Sequence, residues 1–237
     1  MNVPRKDAPD KVHGRTRFTD DFLVPGLLYT ALITSPHAYA EIVEIDDAEA
    51  RAVPGVRGVF SGRDFPTRVG LYLGDKPPLA IDVVRYFGEP VIAVVADDEP
   101  TAQRAARVVR VRYRELEPVR SPRAGLEPDA PVLHPDMAEY VHIPAILPEP
   151  GTNVAHHTKI RKGDVEAGFA EADAIVEGSY RFPPADHAAM EPRIALAEIR
   201  ADGVTLEVPE GRRYVAVDRV FVLIGGALPT ALLRGRG

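Results

Sequence analysis

Short apolar runs separated by turn residues fill the first half of the chain and predict a sheet. Residues 27–33 follow a Pro-Gly pair, and residues 40–45 form a second strand-like run after a Ser-Pro-His turn. We expect these two runs to pair with each other. Residues 56–60 predict a third strand. Residues 91–96 are apolar without interruption, which predicts a strand that is covered on both faces and central in the sheet.

Two helices fit between these strands. Asp46 or Asp47 can cap a short helix over residues 48–53, which a Pro-Gly pair ends. Asp98 can cap a longer helix, whose small side chains would let it lie close to the sheet. The residues that share its inner face are Ala102, Ala105, Ala106 and Val109.

Residues 109–114 alternate between apolar side chains and arginine, which predicts a strand with one solvent-exposed face. The arginines of this row are Arg110, Arg112 and Arg114. They could form an anion site, but a charged row on an alternating strand is usually solvated, so the solvated interpretation is favoured.

The pattern changes after residue 117. Residues 118–150 hold eight of the 23 prolines of the chain, which predicts an extended connector and a domain boundary. Beyond it, Gly163-Asp164 predicts the start of a helix that runs to residue 172. Residues 174–182 alternate like a strand, and residues 194–199 and 204–208 flank an Ala-Asp-Gly turn, which predicts a hairpin. The pattern as a whole indicates an α+β fold.

Composition narrows the function classes. The chain has 237 residues, a net charge of −6 and 27% charged residues without a basic stripe, which argues against nucleic acid as the main partner. It has no cysteine, so it cannot carry a disulfide, a thiolate metal site or an iron-sulfur cluster of its own. We find no signal peptide and no apolar run of membrane-spanning length, which favours the cytoplasm and argues against a membrane partner.

The candidate chemistry is sparse. His156 and His157 are adjacent, and adjacent side chains of a strand point to opposite sides, so a metal site there is disfavoured. His187 and Glu191 have a spacing that suits a ligand pair only on a helix, and the nearby prolines argue against one. Gly225-Gly226 lacks the lysine of a phosphate loop. Composition and spacing therefore indicate no active site.

Other polar residues have both structural and functional interpretations. Glu89, in Gly-Glu-Pro before the buried strand, could face a partner domain, but a turn whose carboxylate caps nearby amides is favoured. Glu191 and Arg193 could form an ion pair that positions the segment after them, and an exposed pair of little energetic value is equally expected. Asp20-Asp21 predicts an Asx-type turn. None of these residues is assigned a catalytic role.

Three stretches of the sequence resemble the molybdenum-binding large subunit of the xanthine dehydrogenase and aldehyde oxidase family. They are GRTRFTDDFLVPGLLYTALITSPHAYAEIVEID at 14–46, VRYFGEPVIAVVAD at 84–97 and MEPRIALAE at 190–198. The resemblance implies an α/β hammerhead domain with a mixed sheet and short helices, followed by a truncated α/β segment. Residues 146–164, ILPEPGTNVAHHTKIRKGD, are similar to bacterial xanthine dehydrogenases of purine catabolism.

The resemblance also implies a division of the chain into four parts. These are the hammerhead domain at 1–117, a proline-rich connector at 118–162, the start of a molybdopterin-binding domain at 163–208 and an atypical tail at 209–237. The N-terminus looks like the usual beginning of these subunits. The tail departs from the family, and we interpret it as a frameshifted stretch of a GC-rich gene. Its apolar cluster around residues 215–224 predicts aggregation.

The family resemblance implies a hydroxylase that inserts a water-derived oxygen into a purine, another N-heterocycle or an aldehyde. A molybdenum-molybdopterin centre would act in the full-length subunit, with iron-sulfur clusters and FAD on partner subunits. The family's catalytic and cofactor-binding residues lie beyond the point where this chain stops. No catalytic, cofactor-binding or metal residue is therefore assigned, no cofactor is expected on this chain, and we expect it to be inactive alone. The alternative is a stand-alone hammerhead module with a structural or subunit-assembly role.

Overall fold

The computed structural model describes residues 5–183, 185–186, 188, 194–200, 203–208 and 211–215, and within them it contains three small sheets and four short α-helices. The fold is of the α+β class. Every strand pair that the structure describes is antiparallel, so none of these sheets is the mixed sheet that was expected. The first six strands are β1 (Tyr29–Thr34), β2 (Ala40–Asp46), β3 (Val56–Ser61), β4 (Val83–Val84), β5 (Pro90–Ala96) and β6 (Arg110–Glu115). The helices are α1 (Ala8–Val12), α2 (Ala48–Ala52), α3 (Glu99–Val108) and α4 (Val165–Glu171).

Strand β5 is the central strand of the first sheet, whose order is β1-β5-β3. Residues Val91–Ala96 are all buried, as the uninterrupted apolar run predicts. Helix α3 packs against this sheet through Ala102 and Ala105, which are at most 1% exposed. The predicted central strand and the predicted close helix are both confirmed.

The second sheet has the order β4-β2-β6. The predicted pairing of residues 27–33 with residues 40–45 is therefore wrong, because β1 pairs with β5 and β2 pairs with β4 and β6. The turn at Ser35 carries the chain from one sheet to the other. Because β1 pairs with β5, this most apolar strand has a partner along both of its edges. A local hairpin of β1 and β2 would leave one edge of β5 unpaired.

The hydrophobic core joins the two sheets. Its buried members come from four strands, from the helices α2 and α3 and from one loop, and they are Ala40, Ile42, Ala50, Val59, Ala80, Val84, Val91, Ile92, Val94 and Ala105. Every one of these lies between residues 40 and 105.

Two of the predicted helix starts are confirmed in detail. The Asp98 carboxylate accepts a hydrogen bond from the Thr101 amide at 2.8 Å, and Asp164 accepts one from the Ala167 amide at 3.0 Å. At α2 the cap differs from this pattern. Asp46 accepts from the Ala48 amide at 3.3 Å, whereas Asp47 forms an ion pair with Arg51 one turn later.

The stretch predicted as a proline-rich connector is irregular but packed. It contains only two short 3₁₀ helices, Ala124–Leu126 and Met137–Glu139. Met137 and Tyr140 are buried and His142 bridges to Leu73, so part of this stretch is packed against the hairpin of residues 69–76. The domain limits at residues 117 and 162 stay predictions.

The third sheet has the order β7-β8-β9, with β7 at Leu196–Arg200, β8 at Gly203–Val208 and β9 at Gly211–Val215. The predicted hairpin is confirmed, since Arg200 pairs with Gly203. Strand β9 lies where an atypical tail is predicted. By contrast, residues 174–182 form no strand, although they alternate. The rest of the tail and residues His187, Glu191 and Arg193 lie outside the described residues.

Candidate functional site

The Gly-Glu-Pro turn before β5 is joined by backbone hydrogen bonds to the turn after β1. Gly88 has a φ of 84°, a conformation that glycine adopts without steric cost. Its amide donates to the Ser35 carbonyl at 2.8 Å, and the Ser35 amide donates to the Glu89 carbonyl at 2.8 Å. Ser35 is 1% exposed and Glu89 3% exposed. The two loops therefore form one buried polar joint between the sheets.

The Glu89 carboxylate has a structural partner inside this joint. Its Oε2 accepts a hydrogen bond from the Arg85 amide at 2.5 Å. Burial raises the pKa of this carboxyl, and the Arg85 amide and the charges of Arg85 and Lys76 oppose that rise. The interpretation of Glu89 as a capping carboxylate is confirmed.

A cluster of titratable side chains lies where the hairpin of residues 69–76 meets the connector. The His134 Nδ1 atom is 3.1 Å from the Tyr140 hydroxyl. The Arg68 guanidinium lies 4.7 Å from the centre of the Tyr140 ring and 3.8 Å from Asp136. Arg85 donates from Nε to the Leu133 carbonyl at 2.7 Å.

The two arginines of this cluster disfavour a further positive charge on His134. Burial, followed by the charge of Arg85, lowers the pKa of His134, and Arg68 acts in the same direction. Burial raises the pKa of Tyr140. A neutral imidazole and a neutral phenol can share one hydrogen bond. This arrangement fixes the connector on the hammerhead domain, and we assign it a positioning role rather than a catalytic one.

Sequence reasoning missed this cluster. Arg68, His134 and Tyr140 all lie outside the α-helices and strands, and Arg68 is far along the chain from the other two, so neither helical nor strand periodicity predicts that they meet. The one available signal was the proline-rich composition around His134, and it predicts only the absence of regular structure.

A groove of about 960 Å³ runs along the connector. The Asn153 side chain holds one side of the groove together. It accepts a hydrogen bond from the Leu133 amide at 2.8 Å and donates hydrogen bonds to the carbonyls of Pro131 and Gly125. His156 accepts from the Leu147 amide through Nδ1 at 3.1 Å. Among the described residues, no group of three or more His, Cys, Asp or Glu could hold a metal ion.

The other polar residues named from the sequence have ordinary environments. Arg110, Arg112 and Arg114 are all exposed, so the solvated interpretation of the arginine row is confirmed. On this exposed face Arg112 forms an ion pair with Glu44 at 2.9 Å, and Arg114 forms one with Glu41. Asp21 accepts from the Phe18 amide at 2.8 Å in a local turn. Within the part of the chain that the structure describes, no helix is long and apolar enough to cross a bilayer.

Two family models match the chain in consecutive stretches. Residues 13–117 match the model described as aldehyde oxidase and xanthine dehydrogenase, a/b hammerhead domain. Residues 146–215 match the model described as molybdopterin cofactor-binding domain.

Similar proteins carry related names. The chain is 34% identical over 208 residues to a Bacillus subtilis protein named as a probable xanthine dehydrogenase subunit, covering 86% of this chain and 26% of that protein. It is 29% identical over 235 residues to the nicotinate dehydrogenase large molybdopterin subunit of Eubacterium barkeri, covering 98% of this chain and 52% of that subunit. The chain thus spans between about a quarter and about half of the length of these relatives.

A solved structure agrees with the sequence matches. Quinoline 2-oxidoreductase from Pseudomonas putida 86 superposes with a TM-score of 0.73 at 29% identity, over 87% of this chain and 26% of that one. Because the hammerhead match, the molybdopterin-domain match and this superposition agree, the chain belongs to the xanthine dehydrogenase and aldehyde oxidase family, of which it carries the hammerhead domain and part of the molybdopterin-binding domain.

Proposed function

We propose that the chain serves as the hammerhead and the first molybdopterin-domain part of a molybdenum hydroxylase. The reaction would add a water-derived oxygen to an electron-poor carbon of the substrate. The observation that carries the proposal is the order of the two family matches, with the hammerhead at 13–117 and the molybdopterin domain from 146.

The substrate class that we favour is a purine or another N-heterocycle. Relatives are named for xanthine and nicotinate, and a solved relative is named for quinoline, all of which are aromatic rings containing nitrogen. Carbon next to a ring nitrogen is electron-poor, which is where such a hydroxylation occurs. An aldehyde is the other class that the hammerhead match supports, because its description names aldehyde oxidase.

The described residues do not by themselves fit a molybdopterin. A pterin and its phosphate need several donors and acceptors that converge in an enclosed site. Residues 158–182 are exposed throughout. In the connector groove, the amide group of Asn153 is already used by three backbone groups. When bound elsewhere in the subunit, the molybdenum centre would supply the oxygen transfer.

The partners that we propose are subunits with iron-sulfur clusters and FAD. One relative is named as a subunit of a xanthine dehydrogenase and another as a large molybdopterin subunit, which supports an enzyme of several chains. The absence of cysteine from this chain supports clusters on another polypeptide. A cytoplasmic location fits this assembly.

A second candidate function is that of a hammerhead module with a structural or assembly role only. The observation that favours it is the closed core, whose buried members all lie between residues 40 and 105. Such a unit can fold and bind a partner without holding a cofactor.

Molybdenum and pterin analysis separates the two functions. The chain would be produced in a host that makes molybdopterin, alone and together with the part of the Bacillus subtilis relative that lies beyond the aligned region. We expect no molybdenum on the chain alone and one equivalent in the complex, with xanthine-dependent reduction of a dye. Molybdenum on the chain alone would contradict the proposed division of the cofactor site. A complex without molybdenum would favour the assembly role.

A further inference from the structure

Backbone hydrogen bonds join the connector to the hairpin of residues 69–76. The Gly74 amide donates to the Val141 carbonyl at 2.7 Å, and the Ile143 amide donates to the Tyr72 carbonyl at 3.1 Å. A few pairings of this kind are marginally stable in water. The side chains that pack beside them therefore decide whether the two segments stay together.

The contact of residues 134–143 with the hairpin is called here the connector joint, and Tyr140 lies at its centre. Tyr140 is 5% exposed, and its hydroxyl is 3.1 Å from the His134 Nδ1 atom. The imidazole meets the phenol ring edge-on, with 5.7 Å between the ring centres. The guanidinium of Arg68, which directly precedes the hairpin, lies 4.7 Å from the same ring. The phenol thus connects His134 on the connector with Arg68 on the hairpin side.

The charges around His134 balance only while its imidazole is neutral. Two arginines, Arg68 and Arg85, and two carboxylates, Asp75 and Asp136, act on it through their charges. The Arg85 Nε atom is fixed beside it, because it donates to the carbonyl of the preceding residue at 2.7 Å. A proton on His134 would place a third positive charge against two negative ones. Burial and the Arg85 charge lower the pKa of His134, in agreement with a site that favours the neutral form.

Two further charged groups pack near Arg85. The Glu89 carboxylate accepts from the Arg85 amide, and the Lys76 charge acts on that carboxylate. The Lys76 ammonium lies 5.4 Å from the centre of the Tyr86 ring. One group is positive and the other negative, so together they leave the balance around His134 unchanged at neutral pH. Protonation of Glu89 would shift this balance in the same direction as protonation of His134.

A proton on His134 also changes the hydrogen bond to Tyr140. A neutral imidazole can accept at Nδ1 from the phenol hydroxyl, whereas both nitrogens of an imidazolium are donors. The hydroxyl proton of Tyr140 would then have to turn towards another acceptor inside a buried site. A buried donor that loses its acceptor destabilises the arrangement that holds it.

We propose that the connector joint is acid-sensitive: it is closed while His134 is neutral and opens when His134 takes up a proton. Opening would separate residues 134–143 from the hairpin and leave the hammerhead core folded, because none of the buried core members belongs to the joint. The connector leads into residues 146–215, which match the molybdopterin-binding domain, so opening would loosen the attachment of that stretch. The inference does not depend on the proposed function.

Hydrogen exchange of the full chain at pH 7 and pH 5 tests the opening, after correction for the effect of pH on intrinsic exchange. We expect the Gly74 and Ile143 amides to exchange on the order of tenfold faster at pH 5, because local opening exposes them to water. The Ile92 amide in β5 should stay protected at both pH values. Equal protection of the joint at the two pH values would overturn the inference, as would a parallel loss of protection in β5.

Matched histidine variants assign the opening to one proton. H134Q cannot take up that proton, so its corrected exchange at Gly74 and Ile143 should agree within about twofold between pH 7 and pH 5. The control is H142Q, which changes an exposed histidine of the same stretch and should keep the acid opening of the unmodified chain. Acid opening that persists in H134Q, or that disappears in H142Q, would contradict the assignment to His134.

Two carboxylate variants test the charge balance, and they decide the matter if H134Q opens the joint at both pH values. D136N removes a negative charge that favours protonated His134, so the midpoint pH of opening should move down. An unchanged or higher midpoint would overturn the inference. E89Q should keep the acid opening. Its loss in E89Q would assign the sensitivity to Glu89 instead of His134.

Discussion

Glu89 is a candidate functional residue in the sequence and has a structural role in the fold. Its carboxylate is buried and accepts a hydrogen bond from the Arg85 amide. The sequence places it correctly in a turn before a buried strand. Only the structure shows that Ser35, on another strand end, closes the same joint.

The Glu89→Ala variant should lose about 1 kcal/mol of unfolding free energy at pH 7, because the part-buried Arg85 amide loses its hydrogen-bond acceptor. Glu89→Gln should lose less, since an amide oxygen can accept the same bond. Urea unfolding of both variants measures the difference. Equal losses would mean that the hydrogen bond to Arg85 does not matter for stability.

The same pair of proteins tests the raised pKa of Glu89. A raised folded-state pKa means that the folded state binds more protons than the unfolded state. The stabilisation that comes from this extra proton is therefore complete at a pH below the unfolded-state pKa near 4.5, and it is lost as the pH rises through the folded-state pKa. Glu89→Gln should flatten this part of the stability curve.

The pKa of His134 is shifted in the opposite direction to that of Glu89. Because its pKa is lowered in the fold, the unfolded chain takes up the proton first as the pH falls below about 6.5. Stability should therefore decrease from pH 7 towards pH 5 in the unmodified chain. His134→Gln should remove part of that decrease, measured as urea midpoints at both pH values. Parallel curves for the two proteins would contradict the burial of His134 beside Arg85 and Arg68.

At the scale of elements, β5 carries the fold of the hammerhead domain. Ile92 is 0% exposed at its centre, and its neighbours come from both adjacent strands. We expect Ile92→Ala to cost about 2–5 kcal/mol through lost burial and the cavity left behind. The matched control is Ile160→Ala, where the side chain is 89% exposed and the expected change is within about 0.5 kcal/mol. Urea unfolding measures both changes, and similar costs would contradict the central position of β5.

The elements differ in how far sequence could predict them. Strand β5, helix α3 and the β7-β8 hairpin were predictable because each has a local pattern and a local start signal, such as Asp98 at α3. The partners of β1 and β2 were not, because strand pairing depends on the burial that distant strands offer. Residues 174–182 have a strand pattern but no strand beside them in the described chain.

At the scale of the whole molecule, burial is uneven. The hydrophobic cluster that joins the first two sheets lies between residues 40 and 105, and smaller buried sites lie at Ala31, Met137 and Tyr140, whereas no residue of α4 is buried. The variant that ends at Lys162 keeps the hammerhead domain, the hydrogen bond of Arg85 to Leu133 and the contact of Arg68 with the Tyr140 ring. We expect its urea midpoint to equal that of the full chain, with an unfolding free energy within about 0.5 kcal/mol. A clear fall would show that the C-terminal half stabilises the hammerhead domain.

The sequence by itself determined the family, the α+β class and the strands and helices whose patterns are local, because periodicity and capping act over a few residues. It also determined that this chain cannot ligate a metal through cysteine. Only the tertiary structure decided which strands pair, how Glu89 is capped, and that Arg68, His134 and Tyr140 meet. The strand pairs and the approach of Arg68 to Tyr140 join residues far apart in the chain, and such contacts form only where folding buries enough apolar surface to offset the entropy of ordering the backbone. The Glu89 cap joins residues four apart, but it lies in a turn that no periodic pattern describes.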